Sequence, residues 1–495
     1  MNLLLLSMPD SFEHMYSGVI RMPNGALSSL AGNVDPHHRV AAADLVLVQD
    51  RVRETVERLL REHPPDVVGL SVMTFQRRTA RRLVELVRAA RPAARVVVGG
   101  YDPSLAPEAW TDGTADFVVR GEGELTFREL IRALERGDGF AAIPGLTWRD
   151  GEGYRANPPR PVNGLDNGAI RPPRRDARVL SGYTLLGRPV DVVETSRGCT
   201  FDCSFCSIIE MRGRNFHTFT FDRVLDDIRD ARDRGARAIF LVDDNLTLDV
   251  RRFEALCRAI VDAGLHRLEY LVQAMTSAIA GAADTLPPLM RRAGFRYVFL
   301  GIENVLEDDL GFLKASAKNA EREHGRRVGN ATIKACEAIR RHGMYVVGGL
   351  IVGNPGDTKE MIEKNLAFAR RYVDWPYIQH PTPYPATPMT RELREKGLVV
   401  EERLEEYDGT TAVVRSEHLP AEEIEFLRWR EERWMKARHF PKALAHSPWF
   451  VLRHAGKMIR HTFRGSRLRT FLGLEDERAA FARYRTLRRA ERELV

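Results

Sequence analysis

Short apolar runs alternate with amphipathic helical patterns over the first 139 residues of the chain. The apolar runs predict strands because they are short and bounded by turn residues, whereas the charged stretches between them repeat their apolar positions with a helical period. The predicted strands are residues 3–6, 45–48, 66–71, 96–99 and 116–119, and the predicted helices are residues 51–62, 77–91 and a stretch from residue 124. This alternation predicts an α/β fold class, with a doubly wound, Rossmann-like domain over residues 1–142.

A second α/β series follows a stretch that has no helical period. Residues 143–190 are rich in proline, glycine and asparagine and are predicted to link two domains. Six further apolar runs then predict a partial (βα)6 barrel over residues 191–380, with its chemistry at the carboxyl ends of the strands. The predicted barrel strands are residues 191–195, 238–243, 269–273, 297–301, 345–349 and 377–380. Residues 381–495 predict a mainly helical C-terminal region with one helix over residues 421–438.

The composition is that of an ordinary globular protein, with 495 residues, 44% hydrophobic and 29% charged, long enough for two or three domains. The formal net charge of +7 is spread along the chain, which suits anionic ligands and does not require nucleic acid. The first apolar run lacks a basic region before it, and no apolar stretch approaches the roughly 18 to 20 residues of a membrane span. We therefore expect no signal peptide, no transmembrane segment and a cytoplasmic protein.

Three of the five cysteines, Cys199, Cys203 and Cys206, follow the first predicted barrel strand within eight positions. Their spacings allow one loop to hold three thiolates around a single metal centre. A four-thiolate iron-sulfur cluster needs a fourth cysteine, and none lies nearby. Three ligands on a 4Fe-4S cluster would leave one iron open to a substrate or cofactor. Cys257 and Cys336 lie alone on predicted helices and are interpreted as packing residues.

Zinc is the alternative metal, because Cys3His sites are closed tetrahedra and His217 lies eleven residues after Cys206. A structural zinc site usually pairs short knuckles across a small domain, whereas this loop follows the first strand of a long α/β series. Three buried thiols without a metal are the remaining alternative. The position of the loop favours the iron-sulfur cluster.

The string from Cys199 to Cys206, CTFDCSFC, with Phe205 directly before the last cysteine, resembles the signature of the radical S-adenosylmethionine (SAM) superfamily. The resemblance implies that the open iron binds the amino and carboxylate groups of SAM. An electron from the cluster then breaks a carbon-sulfur bond, giving methionine and a 5′-deoxyadenosyl radical. In such enzymes the cofactor carries the difficult chemistry.

The same resemblance implies further SAM contacts at strand ends. Phe205 would lie against the adenine, and the aspartates of IFLVDDN match a strand often seen in cobalamin-dependent members. Glu303 matches an acidic position that commonly contacts SAM, and the stretch GGLIVGNPG matches one near its ribose and adenine. Each position also has an interpretation as strand-end capping or turn chemistry. The predicted SAM-binding residues are Phe205, Asp243, Asp244, Glu303, Gly349 and Asn354.

The N-terminal domain, linker and barrel together resemble the cobalamin-binding (B12-dependent) subgroup of this superfamily over about residues 1–400. The strings GLSVMT, VVGGYDPS and VVRGEGELTF carry the resemblance at residues 69–74, 97–104 and 118–127. Small residues and hydroxyls at strand ends let the backbone approach a nucleotide tail closely. The predicted cobalamin-binding residues are Ser71, Met73, Thr74, Gly99, Gly100, Tyr101, Gly121 and Glu122.

A histidine ligand to cobalt is not predicted. Cobalamin domains that supply one use the motif D-x-H-x-x-G, and here Asp35 and His37 have that spacing but Val40 replaces the glycine. The motif also precedes the wrong strand, so we interpret it as a surface loop. Cobalamin would then bind with its lower ligand absent or replaced; a domain that has lost the corrinoid is the alternative.

Together these resemblances imply a cobalamin-dependent radical SAM methyltransferase acting on an unactivated carbon of a small molecule. One SAM would methylate cob(I)alamin, a second would yield the radical that takes a hydrogen, and methylcobalamin would deliver the methyl group. An external donor such as flavodoxin or ferredoxin would supply electrons. Oxidative cyclisation and ring rearrangement are alternative outcomes. A corrinoid or metal sensor is an alternative of another class, since cations and phenylalanines alternate over residues 450–471 and leave contact with a membrane surface open.

Overall fold

The strands form two large sheets in a computed structural model, which describes residues 1–11, 18–162, 164–323, 326–491 and 494–495. The strands are β1 (Asn2–Ser7), β2 (Ile20–Arg21), β3 (Arg39–Asp44), β4 (Val67–Ser71), β5 (Arg95–Gly99), β6 (Phe117–Val119), β7 (Leu146–Asp150), β8 (Gly153–Ala156), β9 (Thr184–Leu185), β10 (Arg188–Val193), β11 (Ser196–Arg197), β12 (His217–Thr218), β13 (Ala238–Leu241), β14 (Glu269–Met275), β15 (Phe295–Glu303), β16 (Ala320–Glu323), β17 (Arg326–Asn330), β18 (Tyr345–Ile351) and β19 (Trp375–Gln379).

Helices cover both sheets and form most of the region after residue 381. They are α1 (Gly25–Asn33), α2 (Val52–Glu62), α3 (Arg77–Ala90), α4 (Tyr101–Leu105), α5 (Gly123–Arg136), α6 (Ser207–Arg212), α7 (Phe221–Asp233), α8 (Val250–Asp262), α9 (Thr276–Gly281), α10 (Leu286–Arg292), α11 (Glu307–Phe312), α12 (Thr332–Arg341), α13 (Lys359–Tyr372), α14 (Pro388–Glu395), α15 (Ala421–His446), α16 (Pro448–Thr462), α17 (Leu468–Phe471) and α18 (Glu477–Ala490).

The first sheet has the order β3-β1-β4-β5-β6-β7-β8. The strands from β3 to β6 are parallel, and β7 and β8 continue the sheet antiparallel. One face packs on α2 and α3 around Leu4 and Leu83, and the other packs on α1 and α5 around Leu5 and Phe127. The predicted doubly wound, mainly parallel architecture is therefore confirmed.

Two segments differ from the sequence expectation. The predicted strand at residues 45–48 is wrong, because Leu45–Val48 is a short 3-10 helix. The strand is the preceding β3, whose sequence RVAAAD carries a weak apolar signal. Within the predicted linker, β7 and β8 form a hairpin on the first sheet, where Trp148 pairs with Phe117 of β6.

The second sheet places six parallel strands side by side in chain order, β10, β13, β14, β15, β18 and β19. Val298 and Leu300 of β15 are fully buried in the cluster that faces the helices. Phe299, between them, lies against Tyr377 on the inner side, with ring centroids 5.4 Å apart. The predicted partial barrel of α/β units is confirmed, and all six strand carboxyl ends lie at one edge.

The C-terminal region consists mainly of helices, as predicted, and the expected helix at residues 421–438 lies within α15. α15 packs against β19, α13 and α16. In the part of the chain that the structure describes, no helix is both long and apolar enough to cross a membrane.

Candidate active site between the two domains

The cysteine loop begins where β10 ends, at the carboxyl edge of the partial barrel. Gly198, just before Cys199, has a φ of +91°, and a Cβ at this position would overlap the backbone oxygen of Asn215. Glycine is therefore required for the turn. Downstream, the Ser204 amide donates to the carbonyl of Leu313 over 3.0 Å, which fixes the loop against the segment after α11.

The thiols lie too far apart for a single tetrahedral ion, which weighs against zinc. A tetrahedral zinc site with Zn–S bonds of about 2.3 Å brings its sulfurs within about 3.8 Å of one another. Among the described residues, the one group of three ligand atoms all within 4.8 Å is that of His37, His38 and Glu135, so the three cysteine sulfurs are more widely spread. Burial raises the pKa of the Cys206 thiol to about 12, a cost that bonding to iron would offset.

Asp243 braces the backbone that leads into the loop. Its carboxylate, almost fully buried, accepts hydrogen bonds from the Thr195 amide at 2.6 Å, the Thr195 hydroxyl at 2.5 Å and the Ser196 hydroxyl at 2.6 Å. Burial raises the pKa of Asp243 to about 6, against the lowering effect of these hydrogen bonds. SAM binding by Asp243 stays a prediction, and its contacts support a positioning role.

Asp244 and Asn245 contact the loop more directly. The Gly198 amide donates to Asp244 Oδ2 at 2.7 Å, and Arg212 donates to the same oxygen at 3.2 Å. Asn245 Nδ2 donates to the sulfur of Cys199 at 3.4 Å. The end of β13 therefore holds the start of the cysteine loop in place.

Glu303 and Lys318 form an ion pair beside the loop. Lys318 Nζ lies 2.5 Å from Glu303 Oε1 and 5.6 Å from the ring centroid of Phe205. Glu303 has a φ of +59°, an uncommon conformation for a residue with a side chain. Burial lowers the pKa of Lys318, but attraction to the Glu303 carboxylate is the main opposing effect. The net result is a pKa of Lys318 above its usual value. A cation therefore lies where the resemblance places SAM.

The remaining predicted SAM residues, Gly349 and Asn354, lie on and after β18. A Cβ on Gly349 would lie 3.0 Å from the Phe299 ring, so glycine lets that ring pack closely. Asn354 is fully buried, and its backbone amide donates to the Asp357 carboxylate at 2.9 Å in the turn after the strand. Their contact with SAM stays a prediction.

A cavity of about 400 Å³ lies between the first sheet and the partial barrel. Residues of both domains line it, including Gly25 on α1 and Arg212 at the end of α6. Thr74, predicted to bind cobalamin, does not line the cavity and is buried in a short 3-10 helix. The predicted cobalamin residues that do line it are Ser71, Met73, Gly99, Gly100, Tyr101, Gly121 and Glu122. Their contact with cobalamin remains a prediction.

Replacing Gly100 with alanine is expected to weaken cobalamin binding by at least about tenfold. Gly100 has a φ of +102°, and a Cβ there would lie 2.9 Å from the carbonyl oxygen of Val72. A positive φ combined with an extended ψ is a conformation nearly exclusive to glycine and costs another residue about 1–3 kcal/mol, and the close contact would displace residues that line the cavity. The affinity of the folded variant can be measured by titrating it with cobalamin and following the absorbance of the bound corrinoid.

Gly113→Ala is the matched control. Gly113 also has a positive φ, of +93°, but a Cβ there meets nothing within 4 Å, and the residue does not line the cavity. Both variants carry the backbone strain, and only Gly100→Ala changes the cavity. Equal cobalamin affinity of the two variants would mean that Gly100 does not contact the corrinoid.

A buried ion pair joins the two domains beside the cavity. Arg197, two residues before the first cysteine, lies 2.6 Å from Glu124 of α5 and 2.8 Å from Glu194. Ser29 of α1 also donates to Glu124, at 2.7 Å. Burial raises the pKa of Glu124, whereas the charge and hydrogen bond of Arg197 lower it. The net result is a pKa of about 2 for Glu124. The cysteine loop is thus coupled to the helix that follows β6.

Sequence reasoning missed Arg197, Lys318 and Arg212 as site residues. The one sequence signal for Arg197 is its position two residues before Cys199. Lys318 lies in no recognisable motif. His37, interpreted as part of a surface loop, is exposed and pairs with Glu135 at 3.0 Å, away from the cavity lining.

The fold and site define a two-domain protein in which a cavity between the domains is lined by residues on either side of a three-cysteine loop, Arg197 before it and Arg212 after it. Residues 30–131 match the family model described as "B12 binding domain", and residues 193–369 match that of the "Radical SAM superfamily". The chain therefore belongs to the radical SAM superfamily, in its cobalamin-binding subgroup.

Curated relatives span several activities by name. "Uncharacterized methyltransferase PH0819" of Pyrococcus horikoshii is 27% identical over 94% of this chain and 97% of its own. "Hopanoid C-3 methylase" of Methylococcus capsulatus is 27% identical over 70% of this chain and 65% of its own. "Anaerobic magnesium-protoporphyrin IX monomethyl ester cyclase" of Cereibacter sphaeroides is 26% identical over 86% of this chain and 67% of its own.

Solved structures share the fold. The radical SAM methyltransferase TsrM from Kitasatospora setae, with cobalamin and a [4Fe-4S] cluster bound, has a TM-score of 0.63 at 22% identity, covering 80% of this chain and 78% of that one. The cobalamin-dependent radical SAM enzyme OxsB, with aqua-cobalamin and SAM bound, has a TM-score of 0.65 at 16% identity. The match covers 100% of this chain and 76% of that one. The order of domains is common to all three proteins.

Proposed function

We propose that this enzyme is a cobalamin-dependent radical SAM methyltransferase that acts on an unactivated carbon of a small molecule. One observation carries the proposal: the glycine-lined cavity of the first domain is bounded on its other side by the barrel residues that brace the cysteine loop. Arg212 lines the cavity and donates to Asp244, which in turn accepts from Gly198 beside the first cysteine. Two cofactors bound at these places would share one reaction space, and such proximity lowers the barrier to group transfer.

The described residues fit these cofactors. Cys199, Cys203 and Cys206 come from one loop and lie further apart than a single tetrahedral ion allows, and Gly99 and Gly100 leave room for close backbone approach to cobalamin. With the groups bound, one molecule of SAM would supply the methyl group that cobalamin carries, and a second, on the cluster, would supply the adenosyl radical.

The chain's own residues hold and shield this chemistry. Glu303 and Lys318 present a carboxylate and an ammonium beside Phe205, a pair suited to the amino and carboxylate groups of an amino-acid ligand. The inner aromatic side chains Phe299 and Tyr377 make this side of the barrel sheet apolar, which would restrict water there.

Methyl-labelled SAM tests the proposal directly. Reconstituted enzyme, cobalamin, a strong reductant and a candidate substrate are expected to give a labelled product together with 5′-deoxyadenosine. Formation of 5′-deoxyadenosine with no label in any product would contradict methyl transfer. That result would favour the alternative, oxidative cyclisation or ring rearrangement, which the cyclase name of one relative supports.

An external one-electron donor of the flavodoxin or ferredoxin type completes the proposed reaction. The net charge of +7 favours association with such acidic proteins by long-range attraction. A cytoplasmic location follows from the same chemistry, because an iron-sulfur cluster on free thiols requires a reducing compartment.

A further inference from the structure

The segment of residues 448–474, which contains α16 and α17, has an unusual composition. Its 27 residues include six lysines and arginines and no aspartate or glutamate. The sequence left open whether this segment packs as an ordinary helix on the barrel or contacts a larger anionic surface. The exposure of its side chains decides between these interpretations.

One face of α16 packs against the barrel. Val451 is fully buried, and Phe450 lies against Gly187, in the turn before β10. Met458 packs with Tyr297, near the start of β15. α16 therefore lies at the amino ends of the barrel strands, opposite the cysteine loop.

The other face of α16 exposes large apolar side chains. Trp449 is 85% exposed, Leu452 63% and Ile459 51%. At 3.6 residues per turn these three lie within about 80° around the helix, and Arg453, Lys457 and Arg460 occupy about 60° beside them. Such a stripe of apolar and cationic side chains is typical of helices that lie in a membrane interface.

The chain after α16 continues this surface. Leu468 is 73% exposed, and Leu472 and Leu474 are also exposed. Phe471 packs on Phe463, just after α16, with ring centroids 5.1 Å apart, which holds α17 beside the end of α16. The exposed apolar side chains of α17 therefore lie on an element next to the end of α16.

The cations of the surface are free to meet anions. In the described ranges, Arg453, Lys457, Arg460 and Arg469 form no ion pair, whereas Arg464 pairs with Glu491 at 2.9 Å. Unpaired cations beside exposed apolar side chains are complementary to anionic headgroups above hydrocarbon.

We propose that residues 448–474 dock the enzyme on an anionic lipid bilayer. Trp449, Leu452 and Ile459 enter the boundary between headgroups and acyl chains, and the neighbouring cations contact lipid phosphates. A second copy of the same surface would bring six positive charges against six, which opposes self-association through this face. A nucleic acid would leave the large apolar side chains without an apolar partner. Docking at this end of the barrel leaves the cysteine loop unobstructed.

Vesicle co-sedimentation of the full-length holoenzyme tests the proposal. We expect binding to phosphatidylcholine vesicles that contain phosphatidylglycerol, weak binding to phosphatidylcholine alone, and a decrease of binding as salt is raised. The double variant Trp449→Ser with Leu452→Ser should lower the partition constant at least about tenfold, since each apolar side chain contributes on the order of 1.5–3 kcal/mol when buried.

Ile333→Ser with Val400→Ser is the matched control, because both side chains are exposed and apolar but lie outside the segment. The control should bind vesicles like the unaltered protein, and both double variants should cleave SAM at the unaltered rate. Three results would each overturn the proposal: equal vesicle binding by the two double variants, a concentration-dependent dimer lost only in the Trp449 variant, or salt-sensitive DNA binding without vesicle binding.

Discussion

Replacing Cys199, Cys203 and Cys206 together with alanine is expected to abolish reductive cleavage of SAM while leaving corrinoid binding largely intact. Alanine offers iron no thiolate, so the cluster is lost and with it the source of the electron. The glycines that line the cavity and are predicted to bind cobalamin lie at the end of β5 and in the turn after β6, on a separate sheet with its own core. Iron content, 5′-deoxyadenosine formation and cobalamin absorbance measure the three quantities on one sample.

Cys336→Ala controls for the loss of a thiol, since Cys336 is a fully buried packing residue on α12. This variant should retain its iron and its SAM cleavage. Loss of corrinoid binding from the triple variant, with unchanged thermal unfolding, would show that the two sites are not separate modules. Retained SAM cleavage would rule out the three cysteines as the essential ligands.

Strands with a strong apolar signal were predictable, and those with a weak one were not. Residues 96–99 and 345–349 are compact apolar runs beside glycine, and both lie in strands. β3 was missed because three of its six residues are alanines, and the more apolar Leu45–Val48 beside it was taken for the strand. Hydrophobicity marks burial, but it does not distinguish a strand from a buried turn of helix.

The site residues also differ in whether the local sequence carries a signal for them. The cysteines were predictable because their spacing within one loop is a local property. The Glu303–Lys318 pair and the Arg197–Glu124 pair depend on tertiary contacts, the second across 73 residues of sequence. Neither pair has a local pattern: the first forms when the segment after α11 folds back on the end of β15, and the second forms when the two sheets are placed side by side.

A small set of buried charged residues connects the cysteine loop to the rest of the structure. Asp243 and Asp244 hold the loop from β13, and Arg197 connects the same loop to α5 of the first domain. Chemistry that needs both cofactors in one reaction space depends on the relative placement of the domains. The buried Arg197–Glu124 pair is the direct test of that dependence.

Arg197→Met is expected to lower the free energy of unfolding by about 3–5 kcal/mol, because it leaves the carboxylate of Glu124 buried without its cation. Burial then raises the pKa of Glu124 from its present value of about 2. Labelled-methyl transfer should fall more than 5′-deoxyadenosine formation, since the loop keeps its cysteines but loses its contact with the first domain. Denaturant unfolding of the iron-replete protein and the two product assays measure these effects.

Arg78→Met provides the matched control, because Arg78 of α3 also makes a contact beyond the first domain, 3.0 Å from Glu405, but is half exposed. An exposed pair contributes at most about 1 kcal/mol, so this variant should remain close to the unaltered protein. Adding Glu124→Gln to Arg197→Met should recover part of the lost stability, since the unpaired charge is removed while the hydrogen bond from Ser29 has an acceptor. If Arg197→Met unfolds no more easily than Arg78→Met, burial of the pair does not hold the domains in place, and the loop is positioned by its contacts within the barrel, including those of Asp243 and Asp244.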